Sequence, residues 1–401
     1  MKIISSINLI SILVSSSLYV SIWSYIPGKE LQVQLISLSF IVAAGFCSFL
    51  VLKKFNNFTI IEVLFLSATL LSLGTSFGIG NIYSIQYSLV FGLFCLSLVF
   101  IVRILSIETI VKVFCNTIIL IIISIFLIEH DNLALALSVV TTNHGLFRFT
   151  PLGMHPNLTG MVYAGSSILL IFRATYTEKN LLKLAYFLGA VMCIAFILAS
   201  SARASLLGLT LIFIMWLYKY LTNLKKINIS YIIIYILVFS LIIYSIFDKI
   251  FLFLSGILEF ESSTRGISSG GTGRFELWAL GAQGLLEDPT LLFFGYGLRS
   301  SGEGIIGFSL ESSYLTLLYE FGLIITICIL IRFYYISLFY LKKRKNNLIN
   351  YSLALSILYL IFQSIFNRYL IAIGNFYSII FIIIIFKGEL MNNNKKYNSL
   401  K

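Results

Sequence analysis

Charge is so scarce along this chain that its position is informative. Charged residues make up 11% of the sequence and hydrophobic residues 59%. Polar and charged side chains gather in two segments, 129–157 and 248–312, and chemistry is to be sought there. The first reads Asn143-His144-Gly145-Leu146-Phe147-Arg148, then Pro151, Gly153, His155-Pro156-Asn157 and Gly160. Pro156 cannot extend a helix backwards, and Asn157 is a fair N-cap for the apolar run that follows. Arg148 and His155 therefore fall near the positive end of a helix, which attracts anions. A plain capping role is the alternative for His155. Ser200-Ser201-Ala202-Arg203-Ala204-Ser205 suits a tight hairpin of small residues, but Arg203 has no such explanation. A cation at the mouth of a bundle costs a few kcal/mol unless it meets water or an anion.

The second segment carries more. Residues 250–258 resemble an interfacial stretch, and Gly266, Gly270, Gly271 and Gly273 mark a loop. Thr272 is placed to cap a helix with Phe275, Trp278, Ala282 and Leu285 on one face, ended by Asp288-Pro289. Arg274 lies in its first turn, where a cation is electrostatically disfavoured, so a functional reason is expected. Gly295-Tyr296-Gly297 permits close backbone approach. Glu311-Ser312-Ser313-Tyr314 then opens the next apolar span, with Glu320 inside it. Glu311, and after it His155, are the ionisable groups here that could exchange a proton with a substrate. Arg148, Arg203 and Arg274 are candidate phosphate ligands, because the guanidinium fork matches phosphate. Asn157, Glu320, Arg299 and Tyr314 are further candidates, Glu320 more as the partner of a buried arginine.

These residues need a scaffold, and the apolar runs supply it. Mean hydropathy is +0.99. About twelve spans reach the ~20 residues that cross a hydrocarbon layer. They fall at 5–25, 31–52, 59–77, 83–103, 109–128, 158–174, 183–200, 204–221, 229–247, 313–335, 349–366 and 370–386. The expectation is an all-α polytopic membrane bundle, a single domain over 1–401. Its external loops would be 129–157 and the large 248–312, the latter with short helices. Lysines dominate one set of alternating loops, among them Lys53, Lys54, Lys112, Lys179, Lys183, Lys225, Lys226 and 342–345. The opposite set carries Lys29, Arg148, Arg203, Lys249, Arg265, Arg274, Arg299 and Arg368. The positive-inside rule then puts both termini in the cytoplasm. The net charge of +12 is spread over many short loops, which argues against a nucleic-acid partner. Cys47, Cys95, Cys115, Cys193 and Cys328 all lie in apolar spans without metal-ligand spacing.

Taken in order, these motifs resemble the O-antigen polymerase/ligase superfamily of polytopic membrane glycosyltransferases. The resemblance rests on Arg148 with Gly153-Met154-His155-Pro156-Asn157-Leu158-Thr159-Gly160, and on Ser201-Ala202-Arg203-Ala204-Ser205. Thr272-Gly273-Arg274-Phe275-Glu276-Leu277-Trp278, Gly295-Tyr296-Gly297, Glu311-Ser312-Ser313-Tyr314-Leu315 and Tyr319-Glu320-Phe321-Gly322 continue it. It covers about 140–325. Ligases of the superfamily carry a histidine where this chain has Glu311, and an acidic residue there resembles the polymerase branch. The resemblance implies transfer of a saccharide from undecaprenyl diphosphate to an acceptor hydroxyl at the periplasmic face of a bacterial inner membrane. It implies no metal and no other cofactor. It also implies membrane lipids, flippases and chain-length regulators as partners. An O-antigen ligase acting on lipid A–core is the alternative within the superfamily, and a polysaccharide transporter or flippase the alternative outside it.

Overall fold

The computed structural model describes residues 2–52, 55, 57–141, 147–223, 274–300, 310–342 and 348–399. The expected span 229–247 lies outside them. So do most of the 248–312 loop with its glycines, Thr272 and Arg265, and also His144, Lys53, Lys54 and 343–347. The described residues form thirteen helices and no strand. In chain order these are α1 (Lys2–Ser21), α2 (Glu30–Val51), α3 (Ile60–Ile79), α4 (Ile82–Ile104), α5 (Ile107–Thr141) and α6 (Pro156–Thr175). Then follow α7 (Asn180–Ser200), α8 (Arg203–Asn223), α9 (Arg274–Glu287), α10 (Pro289–Phe294), α11 (Ser313–Lys342), α12 (Leu348–Gln363) and α13 (Phe376–Ser399). Nine are long and apolar enough to cross a membrane, and two shorter apolar helices cover Arg203–Leu217 and Leu348–Gln363. The chain is an all-α, multi-pass membrane bundle.

Local chemistry sets the helix ends. Thr59 and Glu62 form a reciprocal capping box that starts α3. Asn81 caps α4 through Ser84. Two boundaries differ from the sequence expectation. Residues 130–141, expected as loop, stay helical after a kink at Glu129 (φ −119°, ψ 17°), because Leu133 and Ala136 keep a buried face at helical spacing. The last span begins at Phe376 and not at 370, because Asn375 Oδ1 accepts the N–H groups of Tyr377 and Ser378 and fixes the start there. Residues 364–375 are thereby left irregular at one end of the bundle. In α9 Gly281 and Leu285 are buried and Trp278 is half-buried, while Phe275 and Ala282 are exposed. The Gly281 side is the one that meets Leu310 and Tyr319, and Asp288 goes on to cap α10.

α6 and α13 form the centre. In each, 83% of the membrane-crossing window is buried, against 28–50% in the other long helices. A hydrophobic drive is weak between helices in lipid, so small residues that admit close packing matter more. Gly165 of α6 lies against Tyr377 of α13; a Cβ there would come within 2.0 Å of the phenol ring. The bundle has two chemically distinct ends. At one, Arg103 donates to both carboxylate oxygens of buried Glu62 (2.5 and 2.8 Å), and Lys387 donates to the Val102 carbonyl (2.7 Å). Arg332 pairs with buried Glu389, and Arg173 lies over Tyr176 at 5.0 Å. This is the end of the lysine-rich loops. Arg148, His155, Arg274, Glu311 and Arg368 lie at the other.

The central contact is testable. Gly165→Leu should destabilise the protein by about 1–3 kcal/mol or more through overpacking. Gly74→Ala, where an added Cβ meets nothing within 4 Å, should be neutral or slightly stabilising. Thermal unfolding in detergent reads both. Equal melting temperatures for wild type and Gly165→Leu would refute the close α6–α13 contact.

Candidate functional site

The site is assembled from the ends of helices that are far apart in sequence. α6 starts at His155, whose Nδ1 accepts the backbone N–H of Asn157 (3.3 Å). The expected cap, Asn157, is therefore one of the capped residues. Pro156 occupies the first helical position, where its missing N–H costs nothing, so the cap moves to the residue before it. Upstream, the Leu152 N–H donates to Glu129 Oε1 (3.3 Å), and the Phe149 N–H to the Ala199 carbonyl (2.9 Å). Arg148 reaches the end of α7, giving Nε–H to Ser200 O (2.8 Å) and Nη2–H to Ser201 O (3.2 Å). A guanidinium on the last carbonyls of a helix is favourably placed against the dipole. Arg203 opens α8 directly beyond those carbonyls. Gly160 lets this turn seat on α6, since a Cβ there would fall 2.2 Å from that of Ala202.

The end of α12 joins the remaining pieces. Gln363 Nε2 donates to Ala204 O (2.6 Å) in the first turn of α8. The Ser313 N–H, at the start of α11, donates to Ser364 O (2.8 Å), and Ser313 Oγ accepts from the Leu370 N–H (3.0 Å). Tyr314, a candidate ligand by sequence, spends its hydroxyl on the Ile361 carbonyl (2.6 Å) and ties α11 to α12. The N-termini of α6, α8 and α11 thus share one end of the bundle, and their dipoles favour an anion there. Glu311 sits two residues before α11. Four non-glycine residues adopt the left-handed conformation among the described residues: Leu152 (φ 57°), Ser201 (φ 49°), Arg299 (φ 63°) and Glu311 (φ 50°). Leu152, Ser201 and Glu311 lie in this region and Arg299 lines the cavity beside it; such strain concentrates at functional sites.

The electrostatics centre on His155. The charges of Glu311, Arg148, Arg274 and Arg368 all act on its imidazole, so four separated segments meet there. Burial pushes its pKa below the ordinary 6.5, Glu311 opposes the shift, and the three arginines add to it. The imidazole is therefore neutral at pH 7. A backbone N–H can only donate, so this hydrogen bond assigns Nδ1 as the unprotonated nitrogen and puts the hydrogen on Nε2. In that form His155 offers its free edge as a donor. With Nδ1 engaged in the cap, the role of candidate base falls to Glu311.

Glu320 and Arg299 are not in this cluster. They line a neighbouring cavity of about 510 Å³ between α2, α4, α11 and residues 364–375, with Gln34, Gln86, Arg368 and Asn375. Glu320 is buried, and its Oε1 accepts the backbone N–H of Arg299 (2.9 Å). The Arg299 side chain lies over the Tyr87 ring at 4.8 Å. The bond from Arg299 is a main-chain one, and the Arg299 and Arg368 charges also act on this carboxylate. What Gly295-Tyr296-Gly297 approaches is α11 itself. That helix breaks at Gly322 (φ 72°, ψ 176°), and the N–H groups of Tyr296 and Gly297 satisfy the freed carbonyls of Tyr319 (2.7 Å) and Glu320 (3.1 Å). A Cβ on Gly295 would lie 2.7 Å from the Glu320 backbone, and one on Gly297 would lie 2.2 Å from Ser76 Oγ.

Arg368 faces both groups, since the carboxylates of Glu311 and Glu320 both act on it. Sequence reasoning placed it only among the external cations. The serines that receive the 295–298 segment were also missed: Leu298 N–H donates to Ser72 Oγ (2.7 Å), and Ser72 pairs with Ser88 (2.6 Å). Their spacing of four, Ser72/Ser76 and Ser84/Ser88, was the available signal. No known protein family matches the sequence, and no curated protein does.

The environment of His155 sets a titration prediction. The chain has three histidines, so its imidazole can be followed individually by NMR. Its midpoint should lie below 6.5 in the native protein. It should rise in Arg274→Gln, which removes a repelling cation, and fall further in Glu311→Gln, which removes an attracting anion. A midpoint unmoved by both substitutions would disprove the cluster.

Proposed function

We propose that this protein is a glycosyltransferase of the outer face of a bacterial inner membrane, polymerising oligosaccharide units carried on a polyprenyl diphosphate such as undecaprenyl diphosphate. Both termini are then cytoplasmic, and the arginine-rich end faces outward. The observation that carries the reading is the meeting of Glu311, His155, Arg148, Arg274 and Arg368 from four parts of the chain. A carboxylate base and several fixed cations at the mouth of an apolar bundle suit an attacking hydroxyl and a lipid diphosphate leaving group. The ordered motifs described above point the same way.

In the step envisaged, Glu311 takes the proton of the acceptor hydroxyl. The hydroxyl oxygen attacks the anomeric carbon, and the bond from that carbon to the diphosphate breaks with its electron pair leaving on the diphosphate. Arg274, Arg148 and Arg203 stabilise that anion, assisted by the converging helix N-termini. His155 Nε2–H orients a sugar oxygen or the base. Fixed donors aimed at a developing anion are typically worth ~3–4 kcal/mol, or about 100–1000-fold in rate. One observation favours a flippase instead: a helix broken beside a charged cavity is common in transporters. An acceptor of lipid A–core type would make the same machinery a ligase.

Purified protein in detergent, supplied with lipid-linked repeat units, separates these readings, because micelles offer no second compartment to flip into. Chain extension supports a polymerase. Glu311→Gln should lower the rate by about 100-fold or more, and Arg274→Lys should rescue Arg274→Ala poorly, because it lacks the fork. Extension at the normal rate by Glu311→Gln would eliminate the proposed base. Orientation is checked with Leu286→Cys, an exposed position on α9. An impermeant thiol reagent added to intact cells should label it; labelling only after permeabilisation would invert the topology.

A further inference from the structure

The cavity beside the proposed active site has its own composition and its own opening. Two guanidiniums, Arg299 and Arg368, face one carboxylate, Glu320, and the Oε1 of that carboxylate already accepts the Arg299 N–H. The named charges leave the chamber net positive, inside a bundle where an uncompensated cation is costly. Its rim on α2 consists of Leu31 and Leu35, which are 62% and 47% exposed on a helix apolar enough to face lipid. Gln34 and Gln86 also line the cavity. A second, independent feature lies on the wall. Asn375 is 2% exposed, spends its Oδ1 on capping α13 and interacts through its side chain with the neighbouring buried Tyr25 hydroxyl. A buried pair of polar side chains on this wall suits a polar occupant.

We infer that this cavity binds the phosphate-bearing head of a lipid, admitted sideways past α2, with its phosphate on Arg299 and Arg368 and its hydroxyls on Asn375, Tyr25 and Glu320. The volume of about 510 Å³ is in the range that takes a small phosphorylated head group. The lipid chain would lie along Leu31 and Leu35. The inference stands on the cavity alone and does not need the transferase reading. Under that reading the occupant is a second lipid-borne substrate, across Arg368 from Glu311.

The test is photolabelling of the purified full-length protein with a diazirine-bearing farnesyl diphosphate, mapped by mass spectrometry. Adducts are expected on residues 31–38 and 86–91. Arg299→Gln should reduce them about tenfold, the loss of one charge-assisted contact. Leu35→Trp narrows the rim without touching a charge and should reduce them as well. Arg148→Gln, in the outer cluster, should leave them unchanged. Adducts confined to other helices would overturn the inference, as would labelling insensitive to both Arg299→Gln and Leu35→Trp. Competition by inorganic diphosphate as strong as by farnesyl diphosphate would reduce the cavity to a free-anion site, and equal competition by farnesol would deny the phosphate a role. A protein that labels as expected but extends no chains would fail the transferase reading and keep this one.

Discussion

A helix broken inside a membrane leaves carbonyls that no water can satisfy, and most of this end of the molecule follows from meeting that demand. α11 breaks at Gly322. The Leu317 carbonyl accepts from Thr326 Oγ1 (2.9 Å), reaching across the break within the helix. The Tyr319 and Glu320 carbonyls take donors from the 296–297 backbone. A connecting segment is thereby drawn into the bundle, where its next N–H lands on Ser72 of α3. Only glycine fits at 295 and 297, because the neighbours stand where a Cβ would be. This docking delivers Arg299 to the cavity in a left-handed conformation and sets its N–H on Glu320. It also folds α9 and α10 back over α11, where Tyr319 donates to the Gly281 carbonyl (2.8 Å), and brings Arg274 toward His155.

The irregular stretch 364–375 complements that break. It exists because α12 stops at Gln363 and α13 cannot start before its cap at Asn375. Its backbone holds the start of α11 and the Gln363 side chain holds the first turn of α8, so three helix N-termini share this end of the bundle. Arg368 rises from this stretch between Glu311 on one side and Glu320 on the other. A change of charge in either group is therefore felt by the other through a single guanidinium, at separations and dielectric far from bulk water.

The sequence made the membrane spans legible because length and missing charge are sufficient signals, and eleven of the twelve runs appear as apolar helices among the described residues. Of the motifs singled out, those holding Arg148, Arg274 and Glu311 place their charges where they act on His155. What stayed hidden depends on pairing between distant segments. Arg368 looked like any external cation, since nothing local marks it as the link between two carboxylates. The Ser72, Ser76, Ser84 and Ser88 ladder read as small polar residues inside spans, and only the arrival of residues 297–298 gives it a purpose. The sequence offers both Asn157 and His155 as caps of α6, and Pro156 at the first helical position decides for His155.

The capping role of His155 also bears on chemistry. A histidine that caps its own helix through Nδ1 cannot rotate freely without losing that hydrogen bond, so its Nε2 edge is held in one direction. Protonation would turn Nδ1 from an acceptor into a donor facing the Asn157 N–H, which the helix start resists, as do three nearby arginines. Fold and electrostatics therefore agree on a neutral imidazole of one tautomer. Glu311 has the opposite freedom: it precedes its helix, in a strained backbone conformation held by Ser313 and residues 364–370 behind it. Of the two, the carboxylate is the candidate proton acceptor, and the imidazole is the fixed donor.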